Sequence, residues 1–245
     1  MKYMGSKNRI AKHLLPIILK DRKPDQWYVE PFVGGANMID KVTGNRIGAD
    51  FNSYLIEALK LIRDDPESIP EVITESEYKS AQAEKPLTGI VGFIGFAMSF
   101  GGKWFGGYRR DKAGTKGCIE NMKTQTRRSR NSAINQSKSI KGVKFIASSY
   151  SELDIPPNSI IYCDPPYANT TKYKDDFDHV LFWQWCRDKA KEGHQVFISE
   201  YNAPDDFVCA WSQELNVSVA KNGKHKKAIE KLFVHESQFK GERWN

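Results

Sequence analysis

The sequence predicts an α/β protein with a mostly parallel sheet, a C-terminal antiparallel hairpin and a small, partly helical insert. Strand-like and helix-like stretches alternate over residues 1–63 and again over residues 143–245, which is typical of sheets built with helical crossovers. Residues 64–142 lose this alternation and hold a glycine-rich stretch followed by a polar, basic one. We therefore predict one discontinuous domain, formed by residues 1–63 and 143–245, that is interrupted by a second domain.

The first part of the chain predicts, in order, a helix, a strand, a glycine turn, a helix, a strand and a helix. Ser6 can cap a helix whose apolar residues recur at helical spacing. The stretch WYVEPFVGGANMI predicts a strand, a glycine turn and a helix, and RIGADFN predicts a short strand that ends at Asp50. SYLIEALKLIRD predicts a helix that begins at Asn52 or Ser53.

The α/β pattern returns after the insert. GVKFIASSY and SIIYCDPPY predict strands, HVLFWQWCRDKAKEG predicts an amphipathic helix that ends at Gly193, and QVFISEY predicts a further strand. The stretch LNVSVAKNGKHKKAIEKLFVHES alternates apolar and polar residues on both sides of Asn222–Gly223. This pattern indicates a hairpin.

Composition narrows the class of protein. Of the 245 residues, 40% are hydrophobic and 12% aromatic, as in globular proteins. The most apolar central stretch, Ile90–Phe100, is too short to span a bilayer, and we expect no signal peptide. The five histidines form no HxxH or HExxH spacing, so no catalytic metal is expected. The cysteines lack metal spacing, and we expect reduced thiols in a cytoplasmic protein: Cys118, Cys163, Cys186 and Cys209.

The positive charge is concentrated in one segment. Between Gly101 and Lys144 the sequence has 12 Lys and Arg against two acidic residues, a balance of +10, whereas the rest of the chain balances at −3. Clustered cations bind polyanions by releasing condensed counterions. Charge alone leaves two interpretations open, a surface for a polyanion and a solvated basic loop.

A glycine turn and an acid suggest a ligand that carries a nucleoside. Gly34 and Gly35 follow a predicted strand, and Asp50 ends the next strand 16 residues after Gly34. Glycines allow the backbone to approach a ligand closely, and an acid at about this separation commonly accepts hydrogen bonds from ribose hydroxyls. The alternative is an ordinary strand–helix turn with a capping acid. Neither a full GxGxxG nor a GxxxxGK[ST] is present.

The stretch IIYCDPPY ends a predicted buried strand with a carboxylate and two prolines. A carboxylate at the carboxyl end of a parallel strand faces the crevice where α/β proteins bind ligands. Pro165 and Pro166 stiffen the turn and have no N–H groups, so the Asp164 carboxylate and the Pro165 carbonyl offer two neighbouring acceptors. An amino group fits between two such acceptors, and Tyr167 offers a flat face to the ring that carries it.

This arrangement suits a nucleobase amine. Acceptors for both N–H groups favour a pyramidal nitrogen with an available lone pair, and the carboxylate stabilises the positive charge that develops on it. A base in a duplex reaches such a pocket only after flipping out of the stack. The alternative interpretation is a surface Asp-Pro turn with a packing tyrosine.

Three motifs, in their order, carry a resemblance to a known family. KYMGSK at the N-terminus, YVEPFVGGAN and DPPY following SIIYC resemble the Dam-type (D12 class) DNA adenine-N6 methyltransferases of bacteria and phages, over residues 1–63 and 143–245. The resemblance implies a Rossmann-like methyltransferase sheet that uses S-adenosylmethionine and releases S-adenosylhomocysteine. It also implies cytoplasmic action on double-stranded DNA, with no membrane and no obligate protein partner.

The resemblance assigns roles to particular residues. The catalytic set comprises Asp164, Pro165, Pro166 and Tyr167, and Asp164 also counts with the residues that bind the methyl donor. The other residues of the donor set are Tyr3, Lys7, Phe32, Gly34, Gly35, Asp50 and Tyr150. Ala36 stands where the family's FxGxG motif has its last glycine, and Glu200 departs from a motif that often has I-S-N.

In this family the segment between the motifs recognises the DNA target, which agrees with the +10 segment found from charge. The expected DNA-binding residues are Lys103, Tyr108, Arg109 and Arg110, because arginine binds guanine bidentately in the major groove. The alternatives are methylation of another amino group, in N4-cytosine or RNA adenine, and a catalytically dead DNA-binding protein. Asp164 argues against the cytosine reaction, because enzymes for that base more often have Ser or Asn there.

Overall fold

The computed structural model describes residues 1–110, 118–167, 177–217 and 226–238. The side chains of residues 118–124, 215–217 and 226–228 are not described. The predicted hairpin turn at Asn222–Gly223 lies outside the described residues.

Six α-helices lie in the described ranges: α1 (Ala11–Ile18), α2 (Ser53–Asp64), α3 (Glu75–Glu84), α4 (Gly89–Ala97), α5 (Cys118–Ile140) and α6 (His179–Lys191). The same ranges contain seven strands: β1 (Tyr28–Glu30), β2 (Arg46–Asp50), β3 (Lys144–Ala147), β4 (Ile160–Cys163), β5 (Gln195–Glu200), β6 (Phe207–Val217) and β7 (Lys226–His235).

The chain forms two compact units. The first unit comprises Met1–Ala11 and Val33–Leu153, and the second comprises Lys12–Phe32 and Asp154–Asn245. These boundaries divide the chain by compactness, whereas the predicted domains at residues 1–63, 64–142 and 143–245 divide it by function. The functional division stays a prediction.

In the first unit, β2 and β3 pair in parallel. Their register runs from Ile47 opposite Lys144 to Asp50 opposite Ala147. Four of the five β2 residues are buried and Asp50 is half-buried, so the strand emerges towards solvent at its acidic end. The prediction that Asp50 ends a strand is therefore confirmed.

Helix α2 supplies much of the first unit's core. Its N-terminal cap is Asn52, whose side chain accepts a hydrogen bond from the Leu55 amide at 3.2 Å, and this confirms the predicted start. Asparagine is favoured there because its side-chain oxygen satisfies an amide that has no partner within the helix. The buried face repeats at helical spacing through Leu55, Ile56, Ala58, Leu59 and Ile62.

Glycines allow α4 to approach its neighbours closely. A Cβ built on Gly92 would lie 2.0 Å from the Tyr54 carbonyl oxygen of α2, and one built on Gly89 would lie 2.6 Å from the Leu61 Cβ. One built on Gly95 would lie 2.2 Å from the Trp104 ring. Three residues of the glycine-rich stretch thus belong to a mostly buried helix, and α3, α4 and α5 agree with the prediction of a partly helical insert.

The second unit contains the strands β1, β4, β5, β7 and β6, which are adjacent in that order. β4 pairs in parallel with both β1 and β5. β7 pairs antiparallel with β5 and with β6, so the predicted C-terminal hairpin strands are present. The parallel strands and this antiparallel pair confirm the predicted α/β fold class. Helix α6 begins after Asp178, whose carboxylate accepts from the Leu181 amide at 2.9 Å.

Two local predictions are wrong. No α-helix follows the glycine turn, because residues 34–38 form turns and a 3-10 helix follows at Ile39–Lys41. Gly34 and Ala36 have φ of 49° and 57°, and left-handed residues cannot continue a right-handed helix. Ser6 caps a short 3-10 helix rather than α1 itself.

No described helix has both the length and the apolar character needed to cross a membrane. The described side chains include no cluster of three or more His, Cys, Asp or Glu arranged to hold a metal. Cys163 and Cys186 are buried free thiols and Cys209 is an exposed one.

Replacing Gly92 by Ala tests the close contact between α2 and α4. The added methyl meets the Tyr54 carbonyl, so we expect the free energy of unfolding to fall by about 2 kcal/mol or more. The cost of the clash exceeds the gain of about 1 kcal/mol that alanine brings in helix propensity, so the variant is less stable overall. Urea unfolding measures the change, with the exposed Ser80→Ala in α3 as control. A Gly92→Ala protein as stable as that control would contradict the packing described.

Candidate functional site

Two groups of sequence-predicted residues lie where parallel strands end, one group in each unit. The first surrounds Asp50, the last residue of β2, and the second begins at Asp164, the residue after β4. Parallel α/β sheets bind ligands at this end of their strands.

The Asp50 carboxylate holds the glycine turn of the first unit. One oxygen accepts from the Gly34 amide at 3.2 Å and the other accepts from the Asn52 amide at 3.0 Å. Burial raises the pKa of Asp50 to about 6, although these two amide bonds oppose the shift. The carboxylate therefore sits where its charge is costly, which is a common property of functional acids.

Tyr3 lies against the glycine turn. A Cβ built on Gly34 would lie 3.0 Å from Cδ1 and Cε1 of the Tyr3 ring, and one built on Gly35 would lie 2.7 Å from the Tyr3 Cβ. The Tyr3 ring also contacts Phe96 of α4 at 5.5 Å between centroids. The structure thus brings together Tyr3, the two glycines and Asp50, as the sequence analysis expected.

Gln136 of α5 holds the glycine turn through hydrogen bonds from its side chain. Its side-chain amide donates to the carbonyls of Gly35 at 3.0 Å and Ala36 at 3.1 Å, and to an Asp40 carboxylate oxygen at 3.2 Å. Gln136 is buried. The amide thus satisfies turn carbonyls that a helix would otherwise have paired.

The other predicted donor residues have different positions. Lys7 is buried in the 3-10 helix at the N-terminal end of the first unit. Tyr150 is half-buried three residues beyond Ala147, which pairs with Asp50. Phe32 belongs to the second unit, where its ring contacts two phenylalanines edge-on, Phe177 at 5.8 Å and Phe182 at 5.7 Å.

In the second unit, DPPY follows a strand that is buried throughout. All four residues of β4 are buried, Asp164 is half-buried, and Pro165 is buried behind it. The prediction that a buried parallel strand ends at this carboxylate is confirmed by the ladders on both sides of β4.

Tyr167 is held at its hydroxyl and at its ring. The hydroxyl donates to Oε2 of Glu230 in β7 at 3.0 Å. The ring contacts Tyr201, the residue after β5, edge-on with centroids 4.6 Å apart. Burial, followed by the charges of Asp164 and Glu230, raises the pKa of Tyr167 well above its usual value. The hydroxyl is therefore protonated at neutral pH and acts as a donor.

Further buried polar groups lie on β1, β4 and β5 of the second unit. The Tyr162 hydroxyl bonds the Ser199 hydroxyl at 2.8 Å, and the Tyr28 hydroxyl donates to Glu30 at 2.9 Å. Burial, followed by the charge of Asp164, raises the pKa of Tyr162 well above its usual value. Glu200, the departure from the family motif, is buried at the end of β5 and accepts from the Tyr201 amide at 2.5 Å.

The predicted DNA-binding residues lie on the insert of the first unit. Arg110 is exposed and forms a bidentate ion pair with Glu75, while Arg109 donates to the Gln125 side chain. The Tyr108 hydroxyl donates to the Ile73 carbonyl at 2.6 Å, so this residue has a structural role. Lys103 is half-buried.

Acidic residues neutralise part of the basic segment. Arg130 pairs with Glu67 and also donates to the Ile69 carbonyl at 2.7 Å. Arg127 lies 3.6 Å from Glu71. Because these acids precede the segment in sequence, the +10 balance of residues 101–144 overstates the charge that the folded surface presents.

Glu230, Tyr201 and Gln136 are not among the residues predicted from the sequence. The sequence does contain an indication for Glu230. It lies two residues before Leu232 and four before Val234, so in a strand it shares a face with these buried residues. A buried acid in an apolar register needs a partner. The partner, Tyr167, is 63 residues away in sequence, and no local pattern pairs them.

Replacing Gln136 by Ala tests the support of the glycine turn. The carbonyls of Gly35 and Ala36 would lose a buried donor, so we expect a loss of about 1–3 kcal/mol in the free energy of unfolding. Denaturant unfolding measures it, and the exposed neighbour Asn135→Ala is the matched control. Equal stability of the two variants would show that the turn does not depend on this side chain.

Comparison with known proteins gives two findings. The profile of the D12 class N6 adenine-specific DNA methyltransferase family matches residues 3–87 and 105–235, which is most of the chain. The chain is also 24% identical over 212 residues to the type II methyltransferase M.FokI of Planomicrobium okeanokoites, covering 76% of this chain and 31% of that protein. The chain thus spans about a third of the length of this curated relative. On the match to the family profile, the chain belongs to the D12 class N6 adenine-specific DNA methyltransferases.

Proposed function

We propose that this protein transfers a methyl group from S-adenosylmethionine to the N6 amino group of a flipped adenine in double-stranded DNA. Family membership supports the reaction class. The observation that carries the proposal is the half-buried Asp164 carboxylate, which starts DPPY at the end of a buried parallel strand. The N6 amine of adenine has two N–H donors that match such an acceptor site.

The residues around Asp50 fit the methyl donor. Gly34 and Gly35 let the turn pack closely against Tyr3, which a Cβ on either residue would crowd, and the Asp50 carboxylate is suited to accept from ribose hydroxyls. We propose that Tyr3, Lys7, Phe32 and Tyr150 complete the donor set. When bound, S-adenosylmethionine supplies a methyl group on a positively charged sulfonium, the electrophile that an amine requires.

The DPPY residues act on the base. The Asp164 carboxylate and the Pro165 carbonyl accept from the two N–H groups of the amine, and Pro166 keeps the turn stiff. The carboxylate stabilises the positive charge that develops on nitrogen as the new N–C bond forms. Tyr167 stacks on the purine, which has left the duplex stack to reach it.

We propose that residues 64–142 form the target-recognition domain. The exposed guanidinium of Arg110 would exchange its pairing with Glu75 for a DNA phosphate or a guanine edge. Arg109 and Lys103 lie on the same insert and would add phosphate contacts, while Tyr108 would position the loop. A DNA substrate implies action in the cytoplasm of a bacterial cell or a phage-infected host.

Two alternatives differ in their products. Methylation of N4-cytosine or of RNA adenine would use the same acceptors on another amine. A catalytically dead protein would bind DNA through the insert and show no response to the methyl donor. The identity of the methylated nucleoside distinguishes all three.

Replacing Asp164 by Ala tests the catalytic role. We expect methylation of adenine in duplex DNA to fall by at least about a hundredfold, because the charge that develops on nitrogen loses its carboxylate. Transfer of labelled methyl, followed by digestion and chromatography of nucleosides, measures both rate and product. The exposed Asp154→Ala serves as control. Label in cytosine, or an unchanged rate in Asp164→Ala, would refute the proposal.

The pH dependence of donor binding tests Asp50. Its pKa of about 6 in the free protein should fall when hydroxyls donate to the carboxylate. Affinity is therefore full well above pH 6 and is lost as the pH falls through that value. We expect S-adenosylhomocysteine to bind about tenfold more weakly at pH 5 than at pH 7.5, by calorimetry. Asp50→Asn should bind weakly at both pH values, and an identical pH profile in that variant would contradict the assignment.

A further inference from the structure

We propose that Glu230 is a positioning residue, which holds the Tyr167 ring in the orientation needed to stack on the methyl-accepting base. The inference rests on the proposed function and assigns a role to a residue outside the DPPY motif. It starts from one contact, the hydrogen bond at 3.0 Å from the Tyr167 hydroxyl to the Glu230 carboxylate.

The contact links three neighbouring strands at one end of the second unit. Tyr167 follows β4, Tyr201 follows β5, and Glu230 belongs to β7, and these strands are adjacent in that order. Glu200 pairs with Lys231, so continuing the antiparallel register by one residue brings Tyr201 level with Glu230. The Tyr167 hydroxyl therefore reaches past the end of β5 to an acceptor two strands away.

Burial determines that the Tyr167 hydroxyl donates to Glu230, and it strengthens this hydrogen bond. Glu230 is 9% exposed, and a buried carboxylate is strongly destabilised unless a donor satisfies it. The Tyr167 hydroxyl is such a donor, because burial and the nearby carboxylates keep its pKa well above neutral. A bond to a charged acceptor is stronger than one between neutral groups.

Tyr167 is restrained at its backbone, its ring and its hydroxyl. The two prolines stiffen the backbone before it, Tyr201 contacts the ring edge-on at 4.6 Å, and Glu230 holds the hydroxyl. A stacking platform helps catalysis only when its plane is already set, because a small misplacement of the base costs rate. Glu230 thus acts on the reaction through Tyr167.

The register also provides a conservative substitution. Gln213 of β6 pairs directly with Glu230, and its buried Oε1 accepts no hydrogen bond within the described part of the chain. A glutamine at position 230 keeps an oxygen for the Tyr167 hydroxyl, and its amide group would face a strand that offers a buried acceptor. Glu230→Gln should therefore preserve the hold on the ring.

A double-mutant cycle tests the inference on the full-length chain. We expect Glu230→Ala and Tyr167→Phe each to lower kcat for DNA methylation by roughly tenfold to a hundredfold, with unchanged affinity for S-adenosylhomocysteine. The double variant should be no slower than the slower single variant, because each change removes the same hydrogen bond. Glu230→Gln should recover most of the rate, and Glu214→Ala, an exposed glutamate of β6, is the control.

Several outcomes would overturn the inference. Effects of the two single changes that multiply in the double variant would show that the residues act independently. A rate in Glu230→Gln as low as in Glu230→Ala would show that the acceptor oxygen is not what matters. If Glu230→Ala does not fold, Tyr167→Phe and Glu230→Gln carry the test, and a parental kcat in Tyr167→Phe would refute the inference.

Asp164→Ala separates this inference from the proposed function. If that variant is inactive while the Glu230 and Tyr167 effects multiply, the positioning role fails and adenine methylation stands. If Asp164→Ala methylates DNA at the parental rate, the proposed function itself fails.

Discussion

In a strand buried on both faces, a charged side chain is least costly where the ladder ends and solvent or further hydrogen-bond donors become available. β2 and β4 both obey this constraint, because a half-buried aspartate is the last residue of β2 and another directly follows the buried β4. For Asp50, two amide hydrogen bonds offset part of the cost of desolvation. The candidate chemistry of both units therefore follows from where parallel strands allow a carboxylate.

The backbone N–H groups near the two aspartates are dealt with in different ways. At the end of β2, the Asp50 carboxylate accepts from the Gly34 and Asn52 amides, so it connects the glycine turn to the start of α2. After β4, the prolines remove N–H groups instead of pairing them. The first arrangement thus pairs amides with a carboxylate, and the second removes amides from the turn.

Close packing in the insert uses glycine for a different purpose. Three glycines on one face of α4 let α2 and Trp104 approach the helix backbone, whereas Gly34 serves the turn through its left-handed φ of 49°. The basic segment is similarly divided, because part of its charge faces acids and part is exposed, as in Arg110. Composition counts these residues alike, and only their surroundings separate structural from functional roles.

The sequence by itself determined the fold class, the strand ends at Asp50 and Asp164, and the start of α2, because these depend on local periodicity and capping. It also suggested the family, because the motif residues are near neighbours in the chain. Only the tertiary structure decided that no helix follows the glycine turn, where Ala36 adopts a left-handed φ. It alone paired Tyr167 with Glu230, because contacts between residues far apart in sequence depend on strand order and register, which no local pattern encodes.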